Sequence, residues 1–273
     1  MRHTDACAGT PLVVVYAGAA PGNHIAYLAG MFPSCKFMLY DPAEFCAELR
    51  RSPPVNVQLF EETFFTESVA IALEARFRAE GTKFALISDI RTGKVESFVQ
   101  VNMARQESWV RTLKPDVAMI KFRLPWGAGR TEYLDGDIML PVFAPLTSTE
   151  CRLISTRAHA EGPPRVYDNR AYEEWCAFHN SVGRIRGYEH DIKLPGLDHC
   201  HDCSVLVRTT AEYLQQTGQG ASRRNITRLI RSTIDSFGGG RTLATQYAPS
   251  SNRGAKKFAR RTFTGDKFQL HDQ

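Results

Sequence analysis

Residues 13–24 read Val-Val-Val-Tyr-Ala-Gly-Ala-Ala-Pro-Gly-Asn-His, and no other stretch constrains the fold as tightly. The β-branched run predicts a strand, Gly18 and Gly22 flank a turn, and an amphipathic helix follows. Nucleotide-like ligands are held at such junctions, where helix N–H groups and small residues let a ligand touch backbone. The turn lacks the G-x-G-x-x-G spacing, and Pro21 removes an N–H that a pyrophosphate needs. A ligand without a diphosphate, such as S-adenosylmethionine, suits it better.

The pattern continues as an α/β protein. Strand-like runs recur at 12–16, 36–40, 55–60, 84–88 and 117–122, with helical patterns at 23–31, 43–50, 66–80 and 97–113. Strands alternating with helices predict parallel pairing in a doubly wound, mostly parallel sheet with helices on both faces. Runs at 138–143 and 152–156 are expected to extend the sheet in the antiparallel sense, and 168–186, 198–217 and 222–237 read as helices. No repeat appears, and Pro163-Pro164 marks a loop within one domain, residues 1–237.

At 43% hydrophobic and 23% charged residues the balance is globular, and 273 residues suffice for one good core. No apolar run approaches membrane-spanning length and no signal-peptide pattern opens the chain. Seven scattered cysteines, an odd number, predict reduced thiols inside a cell, hence a cytoplasmic protein. The net charge of +5 is carried entirely by residues 238–273, because 1–237 hold 27 basic and 27 acidic side chains. Those last residues, set off by Gly238-Gly239-Gly240, are expected to be a disordered basic tail that touches RNA phosphates.

Ligands of open α/β sheets sit beyond the carboxyl ends of the strands. Asp41 ends the second strand-like run, 19 residues after Gly22, where it can bond ribose hydroxyls. A strand-end aspartate serves equally well as a helix N-cap. Asp89, Lys121 and Glu150 fall at or beyond three other strand ends. Two carboxylates can hold an amine in line to handle a hydroxyl proton; the same three residues could also be a structural ion-pair cluster.

The run from Val14 through Tyr16, Gly18, Ala20, Gly22 and His24 to Ile25 resembles the first motif of the poxvirus cap-specific mRNA 2′-O-methyltransferases, which double as the small regulatory subunit of the viral poly(A) polymerase. The resemblance recurs in order at Met38-Leu39-Tyr40-Asp41, Leu86-Ile87-Ser88-Asp89-Ile90-Arg91, Ile120-Lys121-Phe122-Arg123-Leu124-Pro125-Trp126, and Phe143-Ala144-Pro145 to Glu150-Cys151-Arg152-Leu153. It covers residues 12–237, most strongly to 155. It implies a Rossmann-like, S-adenosylmethionine-dependent methyltransferase fold, with capped mRNA and a poly(A) polymerase catalytic subunit as partners in an infected host cell or virion.

By the same resemblance the cofactor would be met by Tyr16, Gly18, Ala20, Gly22, His24, Asp41, Phe64, Phe65, Asp89, Ile90 and Arg91. Asp89, Lys121 and Glu150 match the last three members of a Lys-Asp-Lys-Glu catalytic tetrad. The first lysine lies upstream of the glycine motif in the family, whereas residues 1–17 hold no lysine, only Arg2. The family's Gly-Arg after the second-strand aspartate is Pro42-Ala43 here.

Trp126 matches a ring that stacks on the cap, and Tyr172-Glu173 matches a guanine clamp. A 7-methylguanine is cationic and planar, so stacking on Trp126 gains cation–π energy while Glu173 accepts bonds from the base edge. The second stacking ring lies upstream in the family, and Ala128 stands where it has an acidic cap contact. Two other functions remain open on these residues: a non-catalytic RNA-binding processivity subunit, and a 2′-O-methyltransferase for ribosomal or transfer RNA.

Cys176-x-x-His179 and Cys200-x-x-Cys203, with His199 and His201, approximate zinc-finger spacing. Both pairs read as lying inside helices, where cysteines one turn apart pack, and the family has no metal there; no metal is expected.

Overall fold

The computed structural model describes residues 9–237, with 94 and 141 excepted; the basic tail expected over 238–273 lies outside the described residues. Seven strands form one sheet in the order β3-β2-β1-β4-β5-β8-β7. They are β1 (Leu12–Ala17), β2 (Cys35–Tyr40), β3 (Val57–Phe60), β4 (Phe84–Ser88), β5 (Val117–Phe122), β7 (Asp137–Met139) and β8 (Cys151–Thr156). The first five run parallel, β8 is antiparallel to β5, and β7 is antiparallel to β8.

The chain steps outward from β1 to β2 and β3, then returns to the other side of β1 with β4. That reversal makes a topological switch point at the carboxyl ends of β1 and β4, where crevices in doubly wound sheets form.

Alternating side chains bury both sheet faces. On one face Val15, Met38, Leu86 and Ile120 pack under α3 (Glu67–Glu80) and α4 (Glu96–Leu113), which contribute Leu73, Phe77, Met103, Trp109 and Val110. On the other, Val14, Phe37 and Leu39 pack under α1 (Ile25–Met31) and α2 (Ala47–Arg51) through Ile25, Ala29 and Leu49. Each fully buried aliphatic or Phe side chain contributes about 1.5–3 kcal/mol, so these two layers supply most of the drive to fold.

The strands and helices expected around this sheet are present, with three differences. The run expected at 138–143 ends at Met139, whose partner Arg152 is the second residue of β8, and Phe143 beyond it has a φ of 56°, outside the strand region. A short antiparallel pair, β6 (Arg130–Tyr133) with β9 (Arg165–Asp168), and the helix α5 (Arg157–Glu161) appear where no element was expected. The helix expected over 168–186 stops as α6 (Asn169–Ser181), followed by a turn of 3-10 helix, Gly183–Ile185.

The last two helices, α7 (His201–Gln216) and α8 (Arg223–Phe237), add a layer outside α1. Ile226 and Ile230 of α8 join Val207 and Leu214 of α7 over Met31 and Phe32, and Tyr213 donates to the Met31 carbonyl at 2.8 Å. No described helix is long and apolar enough to cross a membrane.

A buried ion pair joins α7 to the 3-10 turn after α6. Arg184 is 2% exposed and Asp202 fully buried, and their side chains hydrogen-bond through both Nε and Nη2. Asp202 Oδ2 also accepts from Phe143 N at 2.9 Å, while Arg184 Nη1 donates to the Ala144 carbonyl at 2.8 Å. Asn180 of α6 donates to the Ser148 carbonyl at 2.7 Å. The irregular segment 143–149, which leads into β8, is thereby tied down from α6 and α7.

Burial pushes the Asp202 carboxyl up, but hydrogen bonds from His201 and Arg184, the Arg184 charge and the Phe143 N–H outweigh it and hold the group below the usual carboxylate range. A depressed folded value gives stability that is complete above the unfolded pKa of about 3.9 and lost as pH falls through the folded value. Asp202→Ala, which strands the arginine, should cost about 3–5 kcal/mol in urea unfolding at neutral pH. The variant should also lose less further stability than wild type between about pH 5 and pH 2. Equal acid sensitivity in both proteins would show that the pair does not anchor this segment.

Candidate functional site

At the switch point a pocket of about 690 Å³ opens beyond the carboxyl ends of β1, β2 and β4. Its size lies within the range of small-molecule sites. Gly18, Ala20, Asp41, Phe64, Phe65, Asp89, Ile90 and Arg91 line it, together with Tyr40, Pro42, Thr66, Glu67, Thr92, Arg105, Ser108 and Trp109. Phe65 is buried edge-on against Tyr40 and Trp109, with ring centroids 5.2 and 5.0 Å away, whereas Phe64 is exposed at the mouth. Three of the sequence-predicted residues, Tyr16, Gly22 and His24, are not part of the lining.

Gly18 is required by geometry. Its φ is +79°, and a Cβ there would stand 2.8 Å from the Ile90 backbone nitrogen. The glycine therefore lets the loop after β4 pass against the turn after β1, which brings Asp89, Ile90 and Arg91 to the pocket. Gly22 turns the other way, toward Phe45 and Leu49, and serves packing below the turn. His24 lies 6.1 Å from the Tyr16 ring. Burial lowers the His24 pKa, partly offset by Asp89, and burial followed by the Asp89 charge pushes the Tyr16 hydroxyl up to about 12, so both are neutral near pH 7.

Asp41, 8% exposed, is not a helix N-cap; Cys46 holds that position in α2, without a side-chain capping bond. Its Oδ2 accepts from Ala20 N at 2.9 Å and its Oδ1 from Ala43 N at 2.8 Å. One carboxylate thus locks the glycine turn to the turn after β2 and presents a charged edge to the pocket.

Lys121 sits on the far side of Asp89. Alternation along β5 buries Ala118, Ile120 and Phe122 and leaves Lys121 half-buried on the other face at the strand's carboxyl end. The buried Gln106 amide of α4 clamps its backbone, accepting from Lys121 N at 3.1 Å and donating to the Lys121 carbonyl at 3.0 Å. The Lys121 Nζ donates to the Asp89 carbonyl at 3.0 Å and lies 3.2 Å from Asp89 Oδ1 and 3.9 Å from Glu150 Oε1. The three residues predicted as catalytic therefore meet.

Arg152 completes the cluster, and sequence reasoning did not single it out. It is the cross-strand partner of Lys121, so two cations face each other across the β5–β8 ladder. Directly opposed like charges repel. The carboxylates resolve this by bridging. Arg152 Nη2 lies 2.7 Å from the same Asp89 oxygen that faces Lys121, and its Nη1 lies 3.2 Å from the same Glu150 oxygen. Arg91 binds the other Glu150 oxygen, Oε2. Burial raises the Glu150 pKa, but Lys121, Arg91 and Arg152 together bring it below its ordinary value, and the carboxylate stays ionised.

On α6, Asp168 caps the helix by accepting from Ala171 N at 2.9 Å, and Tyr172 is buried with its hydroxyl donating to the Thr149 carbonyl, next to Glu150. Glu173 Oε2 accepts from Gly127 N at 3.2 Å, beside Trp126. The half-exposed indole of Trp126 and this carboxylate therefore share one rim. The Arg123 guanidinium lies over the indole, 5.6 Å from the ring centroid.

The cysteine and histidine pairs do not join. Asp198, Cys200 and Cys203 have ligand atoms within 4.8 Å of one another, whereas Cys176 Sγ lies 3.9 Å from Cys151 Sγ and His179 stacks edge-on against His201. Cys200 is the N-cap of α7 and not an interior residue, its sulfur accepting from Cys203 N at 3.4 Å. Cys151, Cys176, Cys200 and Cys203 form no disulfide.

Gly18→Ala should lower stability by about 1–3 kcal/mol, because a methyl group must either displace the Ile90 backbone or strain a left-handed φ. An unchanged midpoint of thermal unfolding would show that the two loops do not need their close approach.

The chain resembles known proteins in keeping with this geometry. Residues 1–210 match the family described as Poly A polymerase regulatory subunit. A Myxoma virus (strain Lausanne) protein named cap-specific mRNA (nucleoside-2′-O-)-methyltransferase is 31% identical over 192 residues, 63% of this chain and 54% of the relative. A fowlpox virus (strain NVSL) protein of the same name is 31% identical over 171 residues, 59% of this chain and 54% of its own. The chain thus spans about half the length of the curated relatives it matches. The structure of bluetongue virus VP4, titled as revealing a multifunctional RNA-capping production-line, shares the fold over 73% of this chain and 32% of its own, with a TM-score of 0.50 and 12% identity.

Proposed function

The chain belongs to the poly(A) polymerase regulatory subunit family, and on that premise we propose that it methylates the ribose 2′-OH of the nucleotide beside an mRNA cap. One observation carries the reading: Lys121 Nζ is held by Asp89 and Glu150, and Asp89 lines a strand-end pocket of about 690 Å³, roomy enough for an adenosine-sized ligand. Phe65 and Trp109 offer aromatic walls for a purine, and Asp41 offers a carboxylate edge for ribose hydroxyls. S-adenosylmethionine, when bound there, supplies a methyl group on a positively charged sulfur.

The residues of the chain then act on the acceptor. Asp89 and Glu150 fix the direction of the Lys121 side chain, Arg152 holds both carboxylates in place, and Arg91 with Arg152 keeps Glu150 ionised. Lys121 in its amine form accepts the proton of the 2′-OH, or as the ammonium it orients the oxygen lone pair. Bringing oxygen and methyl into line inside a shaped pocket provides most of the rate gain, and this chemistry needs no metal.

The rim of Trp126 and Glu173 accounts for the cap. A cationic 7-methylguanine stacks on the indole face away from Arg123, and Glu173 accepts from the base edge. The family's description extends the proposal to a poly(A) polymerase catalytic subunit as partner, and we further propose the cytoplasm of an infected cell as the setting.

Lys121→Ala should abolish methyl transfer to capped RNA while leaving S-adenosylmethionine binding by calorimetry close to wild type. If the lysine is only a member of a structural cluster, the melting temperature will fall and activity will persist.

Trp126→Ala and Glu173→Ala should each weaken binding of a 7-methylguanosine nucleotide about tenfold and of uncapped RNA far less, in line with the ~1–2 kcal/mol of a desolvated cation–π contact. Equal losses on the two ligands would point to ribosomal or transfer RNA as the acceptor.

A further inference from the structure

The outer face of α8 is charged in a way that no other long described helix repeats. α3 pairs Glu74 with Arg78 and Arg76 with Glu80, α4 pairs Glu107 with Arg111, and α6 pairs Arg170 with Glu174, all one turn apart. Such pairs support a helix, and like charges at the same spacing weaken it. In α8, Arg224 and Arg228 are one turn apart and Arg231 follows three residues later, all exposed on one face.

Arg223 pairs with Asp191, but among the described residues Arg224, Arg228 and Arg231 have no ion-pair partner, Asp235 included. Arg223 and Arg224 also open the helix, at the end where its dipole is positive and a cation is disfavoured.

The face cannot turn inward. Ile226 and Ile230 are buried, Leu229 and Ile234 pack with them, and Thr233 Oγ1 hydrogen-bonds Tyr27 of α1 at 2.8 Å. The charge is also local: residues 223–237 hold four arginines and one aspartate, +3, whereas 1–222 hold 23 basic and 26 acidic side chains, −3.

A fixed row of unpaired guanidinium groups, set where helix electrostatics opposes them, complements a ligand with repeated negative charge. We propose that this face of α8 binds the phosphate backbone of single-stranded RNA, at a site separate from the cap rim and independent of sequence. Arg224 to Arg231 spans roughly 10 Å of helix, the reach of two or three phosphates. The rest of the face is Thr227, Ser232, Asp235 and Ser236, with no apolar anchor of the kind a protein interface centres on and no ring on which a base could stack. Backbone phosphate is what remains to be recognised.

The inference requires RNA binding but neither methyl transfer nor a cap, and its test uses neither. The full chain carrying Arg224→Gln, Arg228→Gln and Arg231→Gln is titrated by fluorescence anisotropy with an uncapped single-stranded RNA of mixed sequence, from about 50 to 200 mM salt. Loss of three phosphate contacts should weaken binding tenfold or more at the lowest salt and reduce the log–log salt slope by about 2. The melting temperature should hold or rise, because the substitutions relieve repulsion. A control chain carrying Arg51→Gln, Arg78→Gln and Arg208→Gln makes the same change in net charge elsewhere. Wild-type affinity and slope in the α8 variant would overturn the proposal, as would an equal loss in the control; in the first case an acidic protein surface becomes the better partner for the face.

Discussion

Arg184 and Asp202 exchange hydrogen bonds with almost no exposure to water, and their remaining donors and acceptors hold the backbone at Phe143 and Ala144. Desolvating two charges is expensive, and a well-packed apolar pair is often as stable as a buried ion pair. What apolar side chains cannot do is bond two backbone groups of a segment that has no ladder of its own. Asn180 and Tyr172 continue the same work at Ser148 and Thr149. Glu150 is the next residue. Its position against Lys121 is therefore set by a charge pair between the 3-10 turn and α7 and by polar side chains on α6.

At Lys121 the arrangement is a square of alternating charge, with Lys121 and Arg152 across the strand pair and Asp89 and Glu150 bridging them. Arg91 adds a third cation on Glu150. Structural and chemical roles are not exclusive here. The bridges cancel a cross-strand repulsion, and the same bridges give the amine one direction. Gln106 adds rigidity by occupying both backbone groups of Lys121, so that the side chain swings from a fixed root.

Much of this was legible in the sequence, for stated reasons. The five parallel strands announced themselves because strands buried on both faces must be continuous apolar runs, and their carboxyl ends named Asp41, Asp89 and Lys121. The β7 run was read too long because apolar composition at 140–143 reveals neither that the ladder with β8 stops at Met139 nor that Phe143 is left-handed. β6 and β9 were missed: Arg130–Tyr133 is mostly polar, and the pair closes over the aromatic cluster of Tyr133, Tyr167 and Phe122, a tertiary cause that local pattern does not carry. Arg152 was invisible as a site residue because only strand register puts it opposite Lys121. Gly22 and His24 sit inside the most telling motif yet are not among the lining residues of the pocket, and Gly22 packs instead toward Phe45 and Leu49.

The antiparallel pairing of β5 with β8 has a consequence for how this chain can change length. Lys121 and Arg152 are matched directly, and successive side chains of a strand alternate faces. Deleting or inserting one residue within β8 would present Cys151 or Leu153 opposite the lysine and send the guanidinium to the opposite side of the sheet. Between the two strands, β6 and β7 obey the same rule in their own ladders, and only the loops that join them are free of it. Insertions in those loops are therefore a matter of loop entropy, which grows slowly with length, whereas inside a ladder a single residue is the difference between a charge square and a hole in the sheet.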